Sequence, residues 1–247
     1  MNKNFKIIIE YDGTEFSGWQ KQKHETTVQG EIEKALSLML NQDIKISGSG
    51  RTDAGVHAFG QVANFHADTG IVVKDLKKGV NSLIKQPIVI RECTIINDNF
   101  HARYSAISKE YHYVILNRKD PCAIGRLYQW YIRNPLDIKV MKQCCNAITG
   151  RFDFKSFENT GSPRSSSVRN VFFADINPLD DNRFVFKICA NGFLKYMVRN
   201  LMGTLVLVGL NKITVDEFEK IFKAKDRTKA GATAPAHGLF LQKVNYS

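Results

Sequence analysis

The spacing of apolar positions splits the chain into two stretches built on one plan. From Phe5 to Tyr11 the residues are largely β-branched and apolar, and Asp12-Gly13 closes the run with a turn signal, which predicts a strand. A polar loop carrying Phe16, Trp19 and Gln20 follows. Val28, Ile32, Ala35, Leu36, Met39 and Leu40 then recur at helical spacing behind Thr26-x-x-Gln29, a capping-box pattern, so an amphipathic helix is predicted over 27–41. Strands are expected over 43–47 and 61–66, on either side of a glycine-rich segment. Leu76, Val80, Leu83 and Ile84 share one face of a second helix over 74–84, and Pro87 opens a strand to about Ile96. The order β-α-β-β-α-β is that of a ferredoxin-like half-domain, an antiparallel sheet with two helices on one face. Its other face is left free, as in RNA-recognition modules.

The second stretch repeats the plan. Lys109 to Leu116 alternates Tyr111, Tyr113 and Ile115, a strand. Ile138, Met141, Cys145 and Ile148 line one side of a helix over 137–149. Strands are expected over 168–176 and 183–190, joined by the turn Pro178-Leu179-Asp180-Asp181-Asn182. Apolar pairs at 193/194, 197/198, 201/202 and 205/206 predict a long helix over 193–208, and Thr214-x-x-Glu217 caps another to about Lys223. A strand over 239–244 closes the chain. The expected class is α+β: an N-terminal half over 1–104 and a C-terminal half over 105–247, each ferredoxin-like or RRM-like. The halves share element order and no strict sequence repeat. The segment from Asn159 to Ser167, rich in Gly, Ser and Pro, is expected to be a mobile surface loop.

Charge adds a partner to this picture. The 247 residues carry a formal net charge of +11, which points to a polyanion, nucleic acid before membrane. No secretory leader or membrane span is expected: the most apolar late stretch, Leu201 to Leu210, is about half the length a span requires and contains two glycines. Five cysteines, an odd number without a C-x-x-C, fit reduced thiols in a cytoplasmic protein. No zinc-ligand spacing is present, and no metal or cofactor is expected.

The chemistry gathers in Gly48-Ser49-Gly50-Arg51-Thr52-Asp53-Ala54-Gly55-Val56-His57-Ala58. Asp53 occupies the third glycine's place in a dinucleotide fingerprint, and no Gly-Lys-Ser or Gly-Lys-Thr follows, so the segment is not a phosphate cradle of either kind. It is a turn between strands, where a rigid scaffold presents reactive groups. Asp53 lies two residues from Arg51, and a neighbouring guanidinium favours an ionised carboxylate able to act as nucleophile or base. The alternative for Asp53 is a turn residue that bonds its own backbone. Tyr111 and Tyr113 share a strand face and suit either base stacking or cross-strand packing. Arg199, among apolar helix neighbours, must reach a partner or the surface. The run Lys220, Lys223, Lys225, Arg227, Lys229 is either a solvated helix end or a phosphate track.

The segment from Gly50 to Ala58 resembles the catalytic loop of the TruA family of tRNA pseudouridine synthases. Other landmarks keep the family's order: Tyr11-Asp12-Gly13-Thr14, Gly18-Trp19-Gln20, His101-Ala102-Arg103-Tyr104-Ser105-Ala106 and Tyr111-His112-Tyr113. Later come Asp153-Phe154-Lys155-Ser156-Phe157, Met197 to Gly203 and Ala232 to Leu239. The resemblance implies isomerisation of uridine to pseudouridine at positions 38, 39 and 40 of the tRNA anticodon stem-loop, without metal or cofactor, by a homodimer. It also implies roles: Asp53 as the essential nucleophile or base, Tyr111 stacked on the target base and placed to assist removal of the C5 proton, Arg199 paired with Asp53, and Arg51 holding the place of the flipped nucleotide. Two other readings stay open, a non-catalytic RNA-binding protein and a pseudouridine synthase for another RNA. The first lacks the aromatic string of an RRM and has no need of the Asp53 loop.

Overall fold

The computed structural model describes residues 2–159 and 166–246. The expected mobile loop over 159–167 lies mostly outside them. The chain packs as two compact units, one of residues Met1–Ile107 with Phe240–Ser247, the other of Ser108–Leu239.

The first unit is built from β1 (Asn2–Tyr11), α1 (Val28–Leu40), β2 (Ser47–Gly48), β3 (His57–Asp68), α2 (Val73–Leu83) and β4 (Ile88–Ile96). β1 pairs antiparallel with both β3 and β4, and β2 pairs antiparallel with β3. The order β4-β1-β3-β2 is the ferredoxin-like one. Two local expectations shift. The helix cap is Thr27, whose side chain accepts from the N–H of Gly30. Gln29 does not close a capping box: its Nε2 donates to Ile46 O and Glu33 Oε1. The strand expected over 43–47 is reduced to the pair Ser47–Gly48, while β3 begins at His57 and takes in the end of the glycine segment.

Ile7, Leu36, Phe65, Leu76, Val80 and Ile90 meet between sheet and helices around a cavity of only about 10 Å³. Phe5 and Phe65 stack there with ring centroids 5.2 Å apart. The opposite sheet face is not free, as an RRM's would be. The segment after β4 crosses it: buried Asn4 donates to the carbonyls of Asn97 and Phe100, and buried Asn64 donates to Asn4 Oδ1. Two polar residues in a strand had to find partners, and a returning backbone supplies them.

The second unit contains β5 (Ser108–Asn117), β6 (Trp130–Ile132), α3 (Ile138–Ala147), β7 (Gly150–Asp153), β8 (Val168–Pro178), β9 (Arg183–Ala190), α4 (Met197–Gly209) and α5 (Val215–Lys223). β5-β9-β8-β7 is antiparallel throughout, and β6 pairs parallel with β5. β5, β9 and β8 repeat the first-third-second strand order of the other unit. α4 is buried almost all round, as a helix apolar on every side must be. It starts at Met197, four residues later than the apolar pairs suggest. The capping box of α5 is formed, with Thr214 and Glu217 bonding each other's backbone N–H.

The closing strand, β10 (Leu239–Asn245), leaves the second unit and pairs parallel with the start of β3, Phe240 opposite His57 and Leu241 opposite Ala58. Chain order places this strand with the second half; its packing places Phe240 onward with the first. Both units are α+β, with helices packed on a sheet; the pairing is mostly antiparallel, as expected, but β6 and β10 join in parallel, which makes the sheets mixed.

Candidate active site

Between β2 and β3 the chain makes a turn closed by Val56 N–H donating to Asp53 O at 3.2 Å. Gly55 sits third in that turn at φ +77°, the left-handed value that type II turns take there and that a side chain resists. Asp53 is therefore the turn's first residue, half-buried, between buried Thr52 and exposed Ala54.

The turn is anchored from below. Thr52 Oγ1 and the Tyr11 hydroxyl share a hydrogen bond of 2.8 Å. Burial pushes the Tyr11 phenol well above its ordinary pKa, so it stays neutral. Ser49 Oγ donates to Gln61 Oε1 at 2.7 Å, and Gln61 Nε2 donates to Gly50 O at 3.0 Å. The loop of Phe16 and Trp19 flanks the turn, with Trp19 N–H donating to Thr52 O at 3.1 Å and Gly55 N–H to Phe16 O at 3.4 Å. Both of those rings are buried. Behind the turn, His57 is buried against the Phe240 ring, centroids 4.8 Å apart, and its Nδ1 accepts from Gly13 N–H. Arg51 points outward and is exposed. A carboxylate on a backbone fixed at Ser49, Gly50, Thr52 and Val56 is preorganised, the condition for a nucleophile or base to act without rearrangement.

Tyr111 and Arg199 belong to the second unit. Tyr111 lies on β5, 8% exposed, with the Phe193 ring edge-on at 4.9 Å. Arg199 stands in the first turn of α4, its guanidinium carbon 4.7 Å from the Tyr196 ring centroid. Its Nε donates to Ala234 O at 2.8 Å, and its carbonyl accepts from Ala234 N–H. The next residue serves β5: Tyr113 donates its hydroxyl to Pro235 O at 2.8 Å. One short segment thus fixes both the helix start and the strand. It lies so close to α4 that a Cβ on Gly203 would stand 1.8 Å from Ala232 O. Arg227 steadies the same segment, reaching Asn200 Oδ1 at 3.0 Å and Thr233 Oγ1 at 3.1 Å.

Two choices at the start of α4 oppose stability. Tyr196, the residue before the helix, has φ +63° and offers no side-chain cap. A bulky residue in that region costs on the order of 1–3 kcal/mol. A cation in the first turn also meets the positive end of the helix dipole, unfavourable by roughly 0.3–1 kcal/mol. Unfavourable local choices kept together in this way make the start of α4 a candidate for a functional position. Helix N–H groups with a guanidinium beside them suit an anion. Burial lowers the pKa of His237 in the same segment, and the Arg199 charge acts in the same direction.

The Asp53 loop and its carboxylate were legible in sequence. How the supports work was not: Tyr11 and the 232–239 segment stand out in sequence only as family landmarks, and Gln61 and Tyr196 not at all, while what each of them bonds shows only in the structure. The basic run over 220–229 is largely engaged, with Lys223 paired to Glu219, Lys225 to Asp153 and Arg227 turned inward.

A family model described as tRNA pseudouridine synthase matches residues 7–105 and 144–247. Those stretches hold the Asp53 loop, α4 and the 232–239 segment, while Tyr111 falls between them. The chain is 45% identical over 245 residues to tRNA pseudouridine synthase A of Thermoanaerobacter sp. (strain X514), covering 99% of this chain and 100% of the relative. It is 41% identical over 250 residues to tRNA pseudouridine synthase A 1 of Desulfotalea psychrophila, again over 99% of this chain and 100% of the relative. A chain in a crystal structure of a Cbf5–Nop10–Gar1 complex aligns with 82% of this chain and 44% of its own length, at 15% identity and a TM-score of 0.37. With a full-length match at this identity and a family model that spans the anchored Asp53 turn, the chain belongs to the tRNA pseudouridine synthase family.

Proposed function

We propose that this protein isomerises uridine to pseudouridine at positions 38, 39 and 40 of the tRNA anticodon stem-loop. The observation that carries the reading is Asp53, half-buried on a turn whose backbone is fixed on both sides, in a chain of this family. The reaction breaks the bond from N1 to C1′, turns the base and joins C5 to C1′. The C5 hydrogen leaves as a proton and N1 gains one, so nothing is oxidised or reduced and no cofactor enters the balance.

A uridine in a paired stem must first be extruded, at a cost of about a few kcal/mol. In this reading Arg51, exposed beside Asp53, holds the vacated place in the stem, and Tyr111 stacks on the flipped base, an interaction worth about 1–3 kcal/mol. Asp53 is the nucleophile or base. Arg199 is its cationic partner, supported by an oriented guanidinium at a helix N-terminus, a setting that favours an anion. Because the major groove of A-form RNA is deep and narrow, site choice rests on shape and phosphates, which suits a net charge of +11 and a family acting at three neighbouring positions. The reading extends to a cytoplasmic homodimer. No helix among the described residues is long and apolar enough to cross a membrane, and all five cysteines are free thiols.

The test is release of tritium from C5-labelled uridine in tRNA. Asp53→Asn is expected to lower turnover by at least about a thousandfold while tRNA still binds, since removing a nucleophile costs that much or more. Turnover by this variant near the wild-type rate would remove Asp53 from the chemistry.

A further inference from the structure

The turn from His101 to Ser105 is fastened beneath and open above. Ala102 is fully buried; its N–H donates to Asn64 Oδ1 at 2.9 Å, and its carbonyl accepts from the Tyr246 hydroxyl at 2.7 Å. Asn64 is itself tied to Asn4 across the sheet. Ser105 closes the turn in both directions: its N–H donates to His101 O at 2.9 Å, and its Oγ accepts from His101 N–H at 3.1 Å. Arg103 N–H donates to His101 Nδ1 at 3.1 Å, which sets the direction of the imidazole ring.

On this base stands Tyr104, 76% exposed. The His101 ring lies 4.4 Å from it, centroid to centroid, and the Arg103 guanidinium carbon 5.6 Å from its centroid. A large aromatic side chain is ordinarily buried, because its area is a major source of stability. Here the backbone is locked, yet the ring is turned to solvent beside a cation. Along β3, Asn64 beneath this turn lies seven positions from His57, roughly 23 Å at the rise of an extended strand, which sets the turn apart from the Asp53 loop.

We propose that Tyr104, with His101 and Arg103, is a stacking platform for an unpaired nucleobase of the tRNA, on the order of 20 Å from the reacting uridine. This deepens the tRNA reading above and rests on it. Every base has a π-face, so an exposed ring accepts any of them. The adjacent guanidinium answers the phosphate that accompanies the base. Bases splayed out of helices are the parts of an RNA that aromatic side chains can reach. A platform fixed in advance loses little entropy when the base arrives.

The experiment compares wild type, Tyr104→Ala, Tyr104→Phe and Tyr104→Leu on full-length tRNA transcripts, reading Kd by filter binding and KM and kcat by tritium release. Tyr104→Ala and Tyr104→Leu are expected to raise Kd and KM about five- to hundredfold, the range of one lost stack, with kcat at saturating tRNA and the melting temperature unchanged. Tyr104→Phe is expected to behave as wild type. A Tyr104→Ala enzyme with unaltered Kd and KM overturns the platform, and so does one whose oligomeric state falls in sedimentation while KM is unchanged, which would give the ring to a second copy of the chain. If wild type itself leaves tRNA uridines unconverted, the reading beneath fails; that outcome is separate from any difference among the variants.

Discussion

Thr52 and Val56 bracket Asp53 with buried side chains, so the carboxylate projects from a backbone that has little freedom. Tyr111 is held differently: it is 8% exposed and its ring packs edge-on against Phe193. Two residues on, Tyr113 is fully buried and its hydroxyl is spent on Pro235. The two tyrosines share a strand face and a sequence pattern, so periodicity cannot separate their roles; their surroundings differ, Phe193 against Tyr111, Trp130 and the Pro235 carbonyl against Tyr113. Removing the Tyr111 hydroxyl leaves the ring in place. If Tyr111 also assists removal of the C5 proton, Tyr111→Phe is expected to keep its tRNA affinity while kcat falls by about a hundredfold, the lower range for loss of a proton-transfer group. Single-turnover rates with saturating enzyme measure this. An unchanged rate would confine Tyr111 to stacking. Asp53 was legible because a glycine turn around a carboxylate is a local pattern. Arg199 was legible as a cation in the wrong company and as part of a family landmark, while its partner at Ala234, 35 residues on, was not.

At the level of elements, α4 and the segment over 230–238 act as one part. Gly203 lets the segment cross the helix, Arg227 fastens it to Asn200 and Thr233, and Ala234 and Pro235 deliver the two bonds that orient Arg199 and Tyr113. A methyl at Gly203 would collide with a carbonyl of that segment, and backbone cannot swing aside as a side chain tip can. Gly203→Ala is thus expected to destabilise by about 1–3 kcal/mol, the usual cost of overpacking, even though alanine is the better helix former. Thermal unfolding reads the loss, and kcat is expected to fall with it because Arg199 shifts. A variant with a raised melting temperature would show that the segment yields freely. Helices and long strands were legible from periodicity, which is a property of neighbours in sequence. What was not legible depends on distant partners. Thr27 rather than Thr26 caps α1 because Gln29 is drawn to Glu33 and Ile46. The strand before the glycine loop shrinks to Ser47–Gly48, and β10 returns to the first unit to pair with β3.

For the whole molecule the decisive quantity is charge that remains available to a phosphate. Of the run over 220–229, Lys223 and Lys225 pair with Glu219 and Asp153 at the surface, and Arg227 reaches Asn200 Oδ1. Surface pairs elsewhere, such as Arg91 with Glu10 and Lys142 with Asp175, cancel equal charges and leave the surplus of +11 intact, while contributing little to stability in water. Each phosphate neutralised on a nucleic acid releases condensed counterions, so log affinity should fall linearly with log salt, by about 0.7–0.9 per contact. A stem-loop recognised by shape offers several such contacts; with six or more, tRNA affinity is expected to drop at least roughly a thousandfold between about 50 and 200 mM salt. The base stacking proposed for Tyr104 and Tyr111 would be far less sensitive to salt, so the slope counts phosphates and the extrapolated affinity at high salt tests the rings. Titrating wild type and Tyr104→Ala side by side separates the two: parallel lines offset at every salt concentration are expected. A flat line for wild type would mean that the positive surplus plays no part in binding, and that the protein's partner is not a polyanion.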